Sequence, residues 1–196
     1  MKNFFLTFII STFFVFCKAQ VPTNTPIVPL HTVTTYENLK NLTNNGKYFK
    51  DTENRYDQWI GTWQYQDGSI TFKIVIQKFT GIYFTKNEFH LPINCYVDIL
   101  VAGYYYENNG VVISNHLSVI NPKTPPLVCS IIYGYPDSNN EKLNINYREY
   151  EKAPGLTGGL ANFTLLPGST TQAKWEFDPV KKRNYSVPDN VILTKL

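Results

Sequence analysis

The side chains best suited to catalysis or metal binding are few in this 196-residue chain. The three histidines are His31, His90 and His116, and none stands in the close spacing with other ligands that a local zinc site requires. We expect His116 to face solvent, because it lies between Ser114 and Ser118 on the polar face of a predicted strand. The sequence therefore predicts no bound metal and no cofactor.

Nucleophiles and acids give an equally weak signal. No serine stands in a Gly-x-Ser-x-Gly turn, and Gly158-Gly159 lacks the spacing and the following helix of a phosphate-binding loop. Asp98 interrupts an apolar segment; if buried it needs a hydrogen-bonding or charged partner such as Arg148, and otherwise it faces solvent at a strand end. These residues favour a protein without catalytic activity.

Tyrosines carry the remaining chemical signal. Tyr104, Tyr105 and Tyr106 are consecutive, and Tyr133 and Tyr135 share one face of a predicted strand. Since successive strand residues point to opposite faces, some of these rings line the interior and others the surface. They fill a core with their hydroxyls at its rim, or they line a groove for a small apolar or aromatic ligand. The candidate rim or ligand-contacting residues are Tyr104, Tyr106, Tyr133 and Tyr135.

Residues 1–19 predict a signal peptide. Residues 4–16 are apolar apart from three hydroxyl side chains, and they are shorter than the roughly 20 residues that cross a bilayer. Cys17 and Ala19 supply small residues for cleavage after Ala19. The alternative is lipidation of Cys17, which would anchor the protein to a membrane, although Phe16 is not the small residue that usually precedes such a site. We expect an exported protein, periplasmic or secreted.

The mature chain is nearly neutral, because cleavage removes Lys2 and Lys18 and the formal charge falls from +3 to +1. Basic residues cluster only at residues 181–183, a pattern typical of a solvated turn. We therefore predict no nucleic-acid partner, and we expect a monomer with one domain.

Export leaves two cysteines, Cys95 and Cys129, in a compartment where disulfides persist. In a regular meander they would lie two strand spacings apart, roughly 10 Å. A disulfide needs Cα atoms about 4.4–6.8 Å apart, so a bridge requires a bent loop or another strand order. The sequence leaves the pairing open.

The elements that must position these side chains are β-strands. Residues 20–58 are rich in proline, asparagine and lysine, and predict an extended tether or edge leading into the domain. Residues 59–196 carry alternating apolar segments separated by turn signals such as Asp67-Gly68 and Asn109-Gly110. The pattern predicts eight to ten strands, little helix, and a sandwich or barrel.

The segment Gly61-Thr62-Trp63 resembles the entry of a lipocalin-type barrel. In that superfamily a Gly-x-Trp opens the first strand, and the indole packs across the closed end. The resemblance implies a single antiparallel up-and-down barrel in which Gly61, Thr62 and Trp63 form the floor. It also implies a late arginine that covers the indole, for which Arg148 and Lys174 are the candidates.

The chain as a whole resembles small secreted bacterial proteins of unknown function. The shared features are the export signal, Gly61-Thr62-Trp63, the segment 96–100 and Trp175-Glu176. We predict a non-catalytic lipocalin-like protein that binds a small apolar or aromatic ligand in the barrel mouth. The alternative is an interaction or inhibitor module of the cell envelope with a filled barrel, and the volume of the interior separates the two.

Overall fold

The computed structural model describes residues 21–32, 46–84, 94–117, 134–136, 140–148, 158–178 and 185–196. The predicted signal peptide with Cys17, and also His90, Cys129, Tyr133 and the side chain of Tyr135, lie outside the described residues. The strands are β1 Ile27–Pro29, β2 Tyr48–Lys50, β3 Gly61–Asp67, β4 Ile70–Phe84, β5 Cys95–Asn108, β6 Val111–Asn115, β7 Gly134–Pro136, β8 Lys142–Arg148, β9 Gly158–Leu165, β10 Gln172–Phe177 and β11 Val191–Lys195. Two 3₁₀ turns, Leu30–Thr32 and Asp57–Trp59, are the helical elements of the described part.

The strands form one curled sheet with the order β1-β2-β5-β4-β3-β11-β10-β9-β8-β7, and β6 pairs with β5 beside this path. All pairings from β5 to β7 are antiparallel. The sheet curls into a half-barrel, which confirms the predicted all-β, barrel-like fold class. β7 returns close to β5, so the two sides of the sheet come together.

Residues 20–58 contribute strands to this sheet. β1 pairs with β2 in parallel, and β2 pairs with the first residues of β5, also in parallel. The sequence predicts either a tether or an extended edge for this lead-in. Its described residues form the edge. Its strands are three residues long, whereas eight other strands have five residues or more.

The two halves of the sheet meet at a short seam between β3 and β11. The pairing comprises Gln64 with Thr194 and Trp63 with Lys195, and the Leu196 amide extends it by donating to the Thr62 carbonyl at 2.9 Å. On one side of this seam lie strands from residues 27–115, and on the other side strands from residues 134–195. Few backbone hydrogen bonds therefore connect the two halves at this seam. Contacts between side chains must supply the remaining stability.

Aromatic side chains in the interior make that connection. Each pair that crosses between the halves lies within the distance at which edge-to-face or tilted rings attract. The ring centroids are 4.9 Å apart for Trp63 and Phe163, 5.8 Å for Trp59 and Phe163, 5.6 Å for Phe72 and Trp175, and 5.4 Å for Tyr104 and Tyr147. Such pairs contribute about 0.5–1.5 kcal/mol each beyond the burial of their area.

Tyr185 closes the aromatic interior at the end opposite Trp63. Its ring stacks on Phe177 with centroids 4.0 Å apart and meets Tyr147 edge-on at 5.3 Å. A Cβ at Gly159 would lie 1.7 Å from the Tyr185 hydroxyl oxygen, so the chain needs glycine there. Gly159 thus serves ring packing.

We expect Gly159→Ala to lower the free energy of unfolding by about 1–3 kcal/mol, because the new methyl group overlaps the Tyr185 hydroxyl. Urea unfolding measures the change. In a Tyr185→Ala background the penalty should vanish. Gly110→Ala is the control, since a Cβ at Gly110 meets nothing within 4 Å and its cost should be equal in both backgrounds. A Gly159→Ala penalty that does not depend on Tyr185 would contradict this packing.

Candidate functional site

Trp63 lies at one end of the interior, where it is fully buried. Its indole nitrogen donates to the Trp59 carbonyl at 2.9 Å, which ties the first strand to the preceding 3₁₀ turn. Gly61 has φ of +131°, and a Cβ there would lie 3.0 Å from the Lys195 Cε. Glycine is therefore required both for the backbone angle and for the close approach of the lysine.

The cation seen over the indole is Lys195, which was not among the candidates, and of those candidates Lys174 does not hold this position. The Lys195 ammonium lies 5.3 Å from the Trp63 ring centroid and donates to the Gln58 carbonyl at 2.9 Å. Burial lowers the pKa of Lys195. Lys174 pairs instead with Glu176 at 2.6 Å, and the side chain of Arg148 lies outside the described residues. Lys195 holds this position because β11 lies beside β3, a pairing that the sequence alone does not reveal.

The other buried side chains of the interior form one contiguous cluster with Trp63. Phe72, Ile74 and Trp175 are fully buried, and Phe177 nearly so. The predicted rim residues Tyr104 and Tyr106 belong to the same cluster, so both rings serve as core and neither lies at an open rim. Tyr104 packs edge-on against Phe72 at 6.3 Å, and Tyr106 does so at 6.5 Å.

One polar atom stands out within this cluster. The indole N–H of the fully buried Trp175 has no hydrogen-bond acceptor among the described residues. Its nearest rings are those of Phe177 at 5.4 Å, Phe72 at 5.6 Å and Tyr147 at 6.0 Å, all of them edge-to-face. An N–H that points toward a ring face makes a weak bond with it, and the same N–H can donate to a small acceptor.

Ser114, His116 and Tyr104 form a polar cluster where β6 joins β5. The Ser114 hydroxyl donates to the Tyr104 hydroxyl at 3.1 Å, and its oxygen lies 3.1 Å from the His116 Nε2. The imidazole also packs edge-on against the Tyr104 ring at 5.1 Å. Ser114 is buried and His116 is half-buried, so His116 does not face open solvent as the strand pattern predicts.

A β-bulge explains this reversal. Tyr106 pairs with Ser114, but Glu107 pairs with Val112, so β6 carries one extra residue at Ile113. A shift by one residue moves every following side chain to the other face of a strand. Ser114 and His116, which follow the bulge, therefore turn toward the core instead of away from it.

A serine beside a histidine is the pair that nucleophilic catalysis uses. Here the buried Ser114 oxygen is held between the Tyr104 hydroxyl and the His116 ring. The cluster therefore helps to fix β6 onto the core.

The buried carboxylate of Asp98 joins three segments of the chain. Its Oδ1 accepts from the Tyr48 hydroxyl at 2.6 Å and from the Gly81 amide at 2.9 Å, and its Oδ2 accepts from the Asp51 amide at 3.0 Å. Gly81 reaches it because β4 has a register irregularity between Phe79 and Ile82. These partners replace both the Arg148 and the solvent that the sequence suggests for Asp98.

Asp51 continues the network toward the surface. Its carboxylate accepts from the Arg55 amide at 2.9 Å and the Tyr56 amide at 3.1 Å, and it pairs with the Lys78 ammonium at 2.9 Å. Lys78 also contacts Asp57 at 3.1 Å. Burial alone would lower the pKa of Lys78, but the hydrogen bonds to Asp51 and Asp57 outweigh it and raise the pKa.

Cys95 begins β5 and is buried. Burial raises the pKa of its thiol to about 12. A thiol with so high a pKa is a poor nucleophile, because the reactive thiolate is scarce at neutral pH. Its candidate partner Cys129 lies outside the described residues, so the pairing stays open.

Within the described segments, no group of three or more histidine, cysteine, aspartate or glutamate side chains is placed to hold a metal ion. In the same segments no helix is long and apolar enough to span a bilayer.

Comparison with known proteins gives one match. A family model described as a family of unknown function (DUF6705) covers residues 1–196. No curated protein and no solved structure matches the chain.

Tyr48→Phe should lower the free energy of unfolding by about 1–3 kcal/mol, because the buried Asp98 carboxylate loses one of its three donors. Urea unfolding measures the loss. The control is Tyr65→Phe, which removes a similar hydroxyl, one that donates to Asp67 at 3.3 Å on the exposed surface. Little change is expected there, and equal losses in the two variants would contradict the role of Asp98.

The same network predicts loss of stability at alkaline pH. Burial and the hydrogen bond to Asp98 raise the pKa of Tyr48, so the folded state favours the neutral phenol. This contribution is complete below the unfolded pKa of about 10 and is lost as the pH rises toward the folded value. The raised pKa of Lys78 acts in the same direction.

We therefore expect the urea midpoints of wild type and Tyr48→Phe to approach each other as the pH rises from about 10 to about 11.5. A gap between the two proteins that stays constant over this interval would show that Tyr48 does not titrate with unfolding.

Proposed function

The chain belongs to a family of unknown function, DUF6705, and from this premise we propose that it is an exported, non-catalytic binding protein that acts through its outer surface. In this role it is an interaction or inhibitor module for another protein of the cell envelope. A filled half-barrel provides a rigid support for such a surface.

The observation that carries the proposal is the burial of the interior side chains in one contiguous cluster. An eight-stranded barrel is either just filled by its own side chains or able to hold one small ligand. Here Trp63, Phe72, Ile74, Trp175 and Phe177 are all buried in one cluster. Tyr185 stacks on Phe177 at the far end. When the described part of the chain binds a partner, residues on its surface must then make the contacts.

The engagement of the polar groups supports a non-catalytic role. Asp98 accepts from three donors, and Asp51 accepts from two amides and pairs with Lys78. Ser114 contacts two ring side chains. Each contact connects one strand or turn to another, so the oxygens that chemistry would use already stabilise the fold.

Export rests on the apolar segment 4–16 and its candidate cleavage site after Ala19. The intact mass of protein purified from its own host distinguishes cleavage after Ala19 from lipidation at Cys17. A lipid-modified protein would be released from membranes by Cys17→Ala, whereas a cleaved protein would be unaffected.

A second candidate function is the binding of a small apolar or aromatic ligand. The indole N–H of Trp175 favours it, since a buried donor without an acceptor among the described residues can serve a ligand oxygen or nitrogen. The rings of Tyr185 and Phe177, which stack on each other, lie close to this part of the interior.

Calorimetric titration with benzene and with indole separates the two functions. Wild type should show no saturable heat up to about 1 mM ligand, because its interior is occupied. Trp175→Ala is the matched positive control, since removal of the indole leaves an apolar void of the kind that binds benzene. Phe177→Ala replaces it as the control if Trp175→Ala does not fold.

Saturable binding by wild type would contradict a filled interior. A small molecule that co-purifies with protein from its own host, detected by native mass spectrometry, would do the same. Either result would establish the carrier function in place of the surface function.

A further inference from the structure

The described chain is in contact with the rest of the fold from Val21 onward. A Cβ at Gly81 would lie 2.6 Å from the Val21 Cγ2, so the valine side chain packs directly over the glycine. Gly81 has φ of +63°, and its amide donates to the buried carboxylate of Asp98 at 2.9 Å. Val21 is half-buried at this contact. Its side chain therefore lies beside the hydrogen bonds that Asp98 makes.

Backbone hydrogen bonds hold the residues that follow Val21. The Thr25 amide donates to the Pro22 carbonyl at 3.0 Å, and the Tyr48 amide donates to the Pro26 carbonyl at 2.9 Å. β1 then begins at Ile27 and pairs with β2.

These contacts limit where a signal peptide can be cut. A chain cut after Val21 would lose the side chain that packs over Gly81. We therefore expect processing to occur before Val21, and cleavage after Ala19 meets this condition because it leaves Val21 as the second residue.

Cleavage after Ala19 makes Gln20 the first residue of the mature chain. An amino-terminal glutamine carries an amine and a side-chain carboxamide in the same residue, so the two groups meet without any cost of association. The pKa of an α-amino group is about 7.7–8.0, so on the order of a tenth of the amines are unprotonated and nucleophilic near neutral pH.

We propose that Gln20 cyclises to pyroglutamate, a modification site at the mature amino terminus. The α-amino nitrogen attacks the side-chain Cδ, and the new N–Cδ bond replaces the Cδ–Nε2 bond. The amide nitrogen leaves as ammonia and carries away the proton that the amine gives up. The step consumes no oxidant, reductant or co-reactant. It rests on the proposed export, since cleavage after Ala19 is what exposes the amine of Gln20.

The lactam changes the charge at this edge of the sheet. Residue 20 is one peptide link, about 3.8 Å between Cα atoms, from Val21. An open glutamine would therefore bring an ammonium group next to Val21, whereas the lactam is neutral. The modified chain begins with a neutral group beside the segment that packs over Gly81.

Mass spectrometry of protein purified from its own host tests the proposal. The intact mass should equal that of residues 20–196 less one molecule of ammonia. Reductive methylation of the denatured protein before proteolysis marks every α-amine already present, so cyclisation during digestion cannot imitate the result. The amino-terminal peptide of wild type should carry the loss of ammonia and no methylated α-amine.

Gln20→Ser is the matched control. It lacks the carboxamide but leaves Cys17 and Ala19 in place for cleavage. Its intact mass should equal that of its own residues 20–196 without loss, and its terminal amine should be methylated.

Val21→Ala tests the packing separately from the chemistry. It removes the methyl groups over Gly81 but keeps Gln20, so it should lower the urea midpoint and still show the loss of ammonia. An unchanged midpoint would overturn the structural role of Val21.

The other masses each overturn a different step. Residues 20–196 with a methylated terminal amine would overturn the lactam and leave export with cleavage standing. A lipid-modified chain that begins at Cys17 would overturn the lactam and leave export in its anchored form. An uncut chain of residues 1–196 would overturn both the lactam and the signal peptide. A chain that begins after Val21 would overturn the limit on the processing site.

Discussion

The structure depends on aromatic packing across the seam between β3 and β11. Only two residue pairs join the halves of the sheet there, with one further amide bond from Leu196. Rings from the first half meet rings from the second at Phe163, Trp175 and Tyr147. Lys195 adds a cation over Trp63 and a hydrogen bond to Gln58 at the same place. The buried rings of the interior therefore hold the two halves of the sheet together.

Hydrogen bonds to a buried carboxylate hold the edge of the sheet where β2 pairs with β5. There Asp98 brings together β5, the irregular turn of β4 at Gly81 and the lead-in at Tyr48 and Asp51. An apolar core cannot specify how a three-residue strand is placed, whereas a carboxylate with three donors does so through direction and distance. Aromatic area therefore holds the centre of the fold, and buried polar geometry fixes its edge.

The sequence predicts the strands whose alternation is regular, such as those around Ile74, Ile145 and Trp175, because one face of each is buried. It also predicts the buried Trp63. It does not predict Lys195 as the cation over Trp63, since strand neighbours far apart in sequence leave no local pattern. The inward turn of Ser114 is missed because one extra residue reverses the alternation. The partners of Asp98 also come from segments far apart in sequence, so no local pattern predicts them. The burial of Asp98 itself is visible in the apolar strand that contains it.

The position of β11 has a consequence for how the chain acquires its fold. Residues 191–195 lie between β3 and β10 in the middle of the sheet, although they come long after β3 in the sequence. Contacts of such wide sequence separation are slow to form, because a long loop must close before any of them is gained. Each half can form its own hairpins as it is synthesised, but the central core stays incomplete until β11 is present. A nascent chain of this design therefore completes its central core only after its last strand has been synthesised.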